Sequence, residues 1–217
     1  MTKYYPMFVD LSKHKCLLIG GGKVALRKLK QILACGGRVT VISPEFVSGF
    51  EKYSGNPDIK LIKREYIEGD LDGFSIAIAS TDREEVNNLI RSDANKSNTL
   101  VNVVDKPELC DFIVPSLVER GSLKIAVSTE GKSPALAGKI REKLESDFPE
   151  EYETYVEILG KGRERIKEIY PESPDIRMKI GKKLLELPIL DMILKGQKDK
   201  ALNEMERMFE RIENEYD

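Results

Sequence analysis

The chain has 217 residues, 41% of them hydrophobic and 33% charged, enough for one large domain or a domain with an appendage. Its 35 Lys/Arg and 37 Asp/Glu leave a net charge of −2, without the basic excess of a general nucleic-acid binder. One histidine (His14) and three cysteines (Cys16, Cys35, Cys110) cannot make the usual tetrahedral zinc sets without carboxylates, so no metal site is expected.

Three widely spaced cysteines suit a reducing cytosol. No segment approaches the ~20 apolar residues that cross a bilayer, and residues 1–10 lack a signal-peptide core. A soluble cytoplasmic protein is expected, with neither nucleic acid nor membrane among its partners. Residues 148–217 hold 13 Lys/Arg and 17 Asp/Glu, a net of −4, which leaves +2 for residues 1–147. A boundary is therefore expected near 148.

In chain order, residues 15–19 form an apolar run that ends in three glycines, as a strand buried on both faces does. Helical spacing follows from Val24 and stops at Cys35-Gly36-Gly37, where glycine can adopt the left-handed cap. Residues 38–42 read as a second strand, 45–52 as a short helix, 59–62 as a third strand and 74–79 as a fourth. Thr81 or Asp82 caps a helix over 83–95, and 99–104 is a fifth strand. This alternation predicts an α/β fold, a Rossmann-like doubly wound parallel sheet. It then breaks. Residues 112–116 and 123–128 read as a hairpin-like pair of strands, and Ser133-Pro134 opens a helix to about 147. The remainder is helical. One stripe runs through Tyr152, Tyr155, Val156, Leu159, Ile166 and Ile169, a second helix covers about 175–187, Pro188 marks a break, and a last stripe runs from Ala201 to Ile212.

Four places can carry chemistry. Gly20-Gly21-Gly22-Lys23-Val24-Ala25 fits G-x-G-x-x-A between first strand and first helix. There one glycine makes the tight turn, a second lets backbone approach a pyrophosphate, and a small third residue lets helix and strand pack. The helix N-terminus offers N–H groups to the phosphates. After strand two, Pro44 and Glu45 stand where a carboxylate would meet the ribose, and no Arg follows to hold a 2′-phosphate, which favours NAD over NADP. Asp105, after Asn102 in strand five, lies at the crevice end of the sheet and can act as a general base or form a turn. The run 127–134, rich in small hydroxyl residues and glycine, is either an anion site or a capped loop.

Taken together, these pieces resemble a known family. Tyr5-Pro6-Met7-Phe8, residues 18–25 with Arg27-Lys28, residues 39–44, residues 77–82 with Asn87, residues 101–105, residues 112–116, and residues 125–134 with Arg141-Glu142 match in order. The sequence resembles the precorrin-2 dehydrogenases, which also form the N-terminal module of sirohaem synthases. The resemblance covers about residues 4–148.

It implies NAD-dependent oxidation of precorrin-2 to sirohydrochlorin, with Asp105 catalytic. It implies cofactor binding by Gly20, Gly21, Gly22, Lys23, Val24, Pro44 and Glu45, joined by Ser80, Thr81, Asp82 and Asn102. Ser116, Ser128, Thr129 and Lys132 are the expected substrate contacts. Lys106, Arg120, Lys124, Lys132, Lys139 and Arg141 could supply a basic rim for a polycarboxylate. A homodimer is implied, built through residues 113–147. The expected domains are then 1–112 for NAD, 113–147 for dimerisation and 148–217 as a small helical domain. Two alternatives stand beside this: a dehydrogenase that also inserts iron into sirohydrochlorin, and a non-catalytic NAD-sensing module.

Overall fold

The computed structural model describes residues 4–216, with side-chain surroundings described as far as residue 212. The chain forms two compact units that divide between Val114 and Pro115.

The first unit is a five-stranded parallel sheet. Its strands are β1 (Lys15–Ile19), β2 (Arg38–Ser43), β3 (Ile59–Lys63), β4 (Ile76–Ala79) and β5 (Leu100–Val103), in spatial order β3-β2-β1-β4-β5. The order reverses between β1 and β4, the switch point of a doubly wound sheet. Alternate side chains feed two cores. Leu18, Val39, Val41 and Ile78 pack against Ala25, Leu29 and Ile32 of helix α1 (Lys23–Ala34). Leu17, Ile19, Ala77, Ala79, Val101 and Val103 pack on the other face against Ile90 and Ala94 of α2 (Glu84–Ser97). The two helices therefore cover opposite faces, which is why the strands are apolar on both sides. The expected glycine cap closes α1. Gly36 has φ +72°, its N–H donates to Leu33 O at 2.9 Å, and the Gly37 N–H donates to Ile32 O at 3.0 Å.

Several expected boundaries move. Residues 45–52 are not a helix. The chain past Pro44 crosses the glycine turn, with Val47 N–H bonded to Gly21 O at 2.9 Å, turns at 48–49 and makes a 3-10 turn over Glu51–Tyr53. The fourth strand begins at Ile76 rather than at 74. Helix α2 is preceded by Arg83, not capped by Asp82. The Thr81 hydroxyl accepts the Arg83 N–H at 3.0 Å, just outside the helix.

In the second unit the hairpin strands are β6 (Ser116–Arg120) and β7 (Leu123–Val127). The first was expected at 112–116. Pro115 has no N–H to give a ladder, so pairing starts after it, from Ser116↔Val127 to Arg120↔Leu123 around Gly121-Ser122. Helix α3 (Pro134–Asp147) starts as expected, with Ser133 Oγ accepting the Leu136 N–H at 3.3 Å. Helices α4 (Glu151–Ile169), α5 (Pro174–Glu186), α6 (Ile189–Leu194) and α7 (Lys198–Tyr216) follow. Their core joins Ile158 and Ile166 to Ile180, Leu184, Ile189, Ile193, Met205 and Phe209. On α4 the buried stripe is centred on Ile158, Gly162 and Ile166, while Tyr155 and Leu159 flank it. Helix α6 was not expected, because Pro188 read as a break; it is the residue that starts the helix. Among the described residues no helix is long and apolar enough to cross a membrane.

Candidate functional site

The glycine turn sits where β1 runs out beside β4, and each glycine has a different surrounding. Gly20 has φ +118°, and a side chain there would lie 2.4 Å from the Ser80 carbonyl oxygen. It makes the tight turn. Gly21 is buried, and a methyl group would meet Glu45 O at 1.9 Å, so the loop after β2 lies directly on it. Gly22 is exposed, with open space where a side chain would stand. Ala25 is fully buried against the sheet. The open position is thus the second glycine of the pattern, where backbone must approach a pyrophosphate.

Gly22 is also the N-cap of α1 and offers no side chain to its first N–H groups. The first i→i−4 bond of α1 is Leu26 N–H to Gly22 O at 3.0 Å, which leaves the N–H groups of Lys23, Val24 and Ala25 ahead of the ladder. No carboxylate lies in the first turn of α1. The first turn of α2, by contrast, holds Glu84 and Glu85. Of the two helices on the sheet, α1 alone keeps its positive end uncompensated by its own side chains.

At the end of β2, Pro44 and Glu45 are exposed, and the Glu45 carbonyl accepts the Ser43 hydroxyl at 2.6 Å. At the end of β4, the Ser80 N–H donates to Ile19 O at 2.7 Å, but the Ser80 hydroxyl is buried with no partner among the described residues. Asn87, 3% exposed, donates its amide to Thr81 O at 3.2 Å, and its Oδ1 is likewise unpartnered. Asn87 was not among the expected site residues. Its signals in the sequence were its place after residues 77–82 in the matched series and a polar side chain set into the apolar stripe of Val86, Leu89 and Ile90. Asp82 is exposed.

At the end of β5, Asn102 is 9% exposed, and its amide nitrogen is committed to Phe112 O at 2.8 Å. It holds the chain beside the strand. Asp105 follows, exposed, with φ +61° in the left-handed region that aspartate tolerates better than most residues. The turn closes through Lys106 N–H to Val103 O at 3.2 Å.

Ser116, Ser128, Thr129 and Lys132 belong to the second unit. Ser116 opens β6. The Ser128 hydroxyl accepts the Glu130 N–H and the Thr129 hydroxyl accepts the Ser133 N–H, both at 3.0 Å. These hydroxyls shape the loop before α3. Lys132 is exposed.

Elsewhere in the first unit, Cys16 and Tyr66 are titratable groups buried in the core. Burial pushes the Cys16 thiol up to about 11. Burial, then the hydrogen bond to Asp93, raises the Tyr66 phenol.

A glycine turn between first strand and first helix, an uncapped helix N-terminus and a strand-order switch define a Rossmann-type dinucleotide-binding unit. The residues present fit a dinucleotide: backbone is open at Gly22, and a buried serine hydroxyl beside the turn has no partner among the described residues.

A family model described as "Putative NAD(P)-binding" matches residues 7–116, and the chain belongs to that NAD(P)-binding family. A second model, described as "Sirohaem biosynthesis protein central", matches residues 120–147. Among curated relatives, a siroheme synthase of Photobacterium profundum is 37% identical over 93% of this chain and 43% of its own length. One from Thioalkalivibrio sulfidiphilus is 34% identical over 95% of this chain and 42% of its own. The chain thus spans less than half the length of these relatives. A solved structure titled "SirC, precorrin-2 dehydrogenase" shares the fold, with a TM-score of 0.78 and 24% identity over 94% of this chain and all of the other.

Proposed function

We propose that this chain oxidises precorrin-2 to sirohydrochlorin with NAD, as the dehydrogenase step of sirohaem synthesis. The observation that carries the reading is a juxtaposition at one sheet edge. The open backbone at Gly22 and the exposed carboxylate of Asp105 both lie at carboxyl ends of the parallel strands, with β4 between β1 and β5. The two matched family models, in this order along one chain, and the naming of the relatives supply the substrate class.

In this reading Gly22 and the N–H groups of Lys23, Val24 and Ala25 hold the pyrophosphate. Pro44 and Glu45 flank the ribose, and no Arg follows β2 to meet a 2′-phosphate, so NAD is preferred to NADP. The Ser80 hydroxyl gains a partner from the bound dinucleotide. NAD supplies the hydride acceptor. Asp105 takes the proton that leaves as a C–C bond of the macrocycle becomes C=C, so hydride and proton together account for the two hydrogens lost. Ser116, Ser128, Thr129 and Lys132 contact the substrate, and its carboxylates meet basic side chains.

The chain works as a homodimer through residues 113–147, with 148–217 as the helical C-terminal domain, and it is soluble and cytoplasmic. Leu136 and Ile140 of α3, at 49% and 38% exposure, give the dimerisation segment apolar side chains to bury.

The test is to incubate the purified protein anaerobically with precorrin-2 and NAD and to follow NADH and the macrocycle spectrum. NADH equimolar with sirohydrochlorin is expected. Bound NAD without turnover would overturn the dehydrogenase and turn the reading to an NAD-responsive binding module.

A further inference from the structure

Strand β5, which leads into Asp105, lies at the margin of the sheet, and side chains close its outer side. The Val101 N–H donates to the Asp111 carboxylate at 2.9 Å, and the Asp111 N–H returns to Val101 O at 2.8 Å. Arg91 holds the same carboxylate at 2.7 Å. Two residues along, the Val103 N–H donates to the sulfur of Cys110 at 3.2 Å. The thiol faces two carbonyl oxygens, Val103 O at 3.2 Å and Lys106 O at 3.3 Å. The Asn102 amide nitrogen stands 3.5 Å from that sulfur. Cys110 therefore touches backbone on both sides of Asp105, two residues before it and one after.

The turn it spans needs holding. Asp105 sits at φ +61°, a conformation that persists only when the surroundings fix it. The thiol is suited to the task. Burial, foremost, raises it above its ordinary value, so it keeps its proton at neutral pH and can donate as well as accept. Val103 is 1% exposed, and with the sulfur removed its N–H would have no solvent to turn to.

We propose that Cys110 is a positioning residue whose thiol locks the 103–106 turn and so aims the Asp105 carboxylate. The proposal rests on the reading of Asp105 as proton acceptor. A carboxylate displaced by about 1 Å loses up to about a hundredfold in rate without loss of cofactor affinity, because nothing that holds the cofactor has moved.

Three variants test it: Cys110→Ala, Cys110→Ser and Cys110→Val. Serine keeps a donor and acceptor, whereas valine fills the space without them. Rates are expressed per NAD-binding site counted by calorimetric titration, so that loss of folded protein does not count as loss of rate. Alanine and valine should lower kcat about tenfold or more, leaving the Kd for NAD within about twofold. Amide hydrogen exchange at residues 104–106 should quicken about tenfold. Serine should recover most of both. A valine variant that matches wild type in kcat and exchange overturns the proposal, as does a serine variant no better than valine. If the wild type forms no NADH, the dehydrogenase reading alone fails. Exchange at 104–106 then decides whether the thiol holds the turn, and unchanged exchange in all three variants overturns it.

Discussion

Alanine at position 21 or at position 22 adds the same methyl group one residue apart, and the structure predicts opposite outcomes. At 21 the methyl meets Glu45 O at 1.9 Å, Ser43 Oγ at 2.7 Å and the Glu45 carbonyl carbon at 2.9 Å. The first atom struck is backbone, so the loop after β2 has to move. That loop is tied down by Ser43 Oγ–H to Glu45 O at 2.6 Å and by Val47 N–H to Gly21 O at 2.9 Å. Overpacking of this kind costs about 1–3 kcal/mol. Each strained or lost hydrogen bond adds about 1 kcal/mol. Gly21→Ala should therefore lose about 3–5 kcal/mol, a large part of the ~5–15 kcal/mol that holds a domain together. At 22 the backbone is extended, with φ −82° and ψ −176°, which any residue adopts, and nothing lies within 4 Å of the added carbon. Gly22→Ala should cost under about 1 kcal/mol. In the proposed reading its methyl group instead enters the space of the pyrophosphate and should raise the Kd for NAD about tenfold or more, equivalent to about 1.4 kcal/mol. Urea unfolding followed by circular dichroism and titration calorimetry with NAD separate the two. The reasoning is refuted if Gly21→Ala unfolds at the wild-type urea midpoint, or if Gly22→Ala binds NAD with wild-type affinity.

Asp105→Asn should lower the rate of NADH formation by about a hundredfold or more while NAD still binds; a wild-type rate would remove the proton-acceptor role. The buried Asp93 carboxylate accepts both the Tyr66 hydroxyl at 2.7 Å and the Gly69 N–H at 2.9 Å. Asp93→Ala strands two donors and should cost about 2–4 kcal/mol, against about 1 kcal/mol for Tyr66→Phe, and equal urea midpoints would contradict that ranking. Burial works against charge on Asp70, but hydrogen bonds from Arg64 and the Ile67 N–H, with the Arg64 charge, outweigh it and hold the carboxyl below its ordinary value. A lowered folded pKa gives stability that is present above the unfolded value near ~4 and is lost as pH falls through the folded one. Asp70→Asn should therefore flatten the acid limb of stability below about pH 4, and an unchanged limb counts against the pairing. Leu136→Glu with Ile140→Lys should give a folded monomer in light scattering, since both side chains are solvent-facing in the single chain; a persisting dimer would move the interface off α3.

The inner strands β1, β2 and β4 were legible because burial on both faces leaves apolar runs, ended by Gly20, Pro44 and Ser80-Thr81, whereas β3 at the margin alternates apolar residues with exposed lysines. The errors fall where one residue's meaning depends on a distant partner. Pro115 shifted β6 because the ladder, not the apolar pattern, decides where a strand starts. Helix α6 has only six residues, too few for periodicity to show, and Pro188 signals a start as well as a stop. The 45–52 segment has helix-compatible spacing, but its backbone is taken by Gly21. Within the site the glycine turn could be read directly, since its chemistry is local. Asn102 looked like a ligand donor, yet its amide is spent on Phe112. The Cys110 sulfur carried no signal, because its partners are backbone groups brought up by the fold.

The seal that Asp111 and Cys110 place on β5 also governs what the protein can stick to. A parallel sheet has two margins at which a foreign strand can add and begin a cross-β stack. Here one margin has its outward N–H groups already taken by side chains of its own chain. The other is β3 (Ile59–Lys63), which carries exposed Lys60 and Lys63. An incoming strand there meets charge. Loosening residues 110–112 would reopen the margin at β5 to an incoming strand. The atoms that close this margin are the same few that are proposed to place the Asp105 carboxylate.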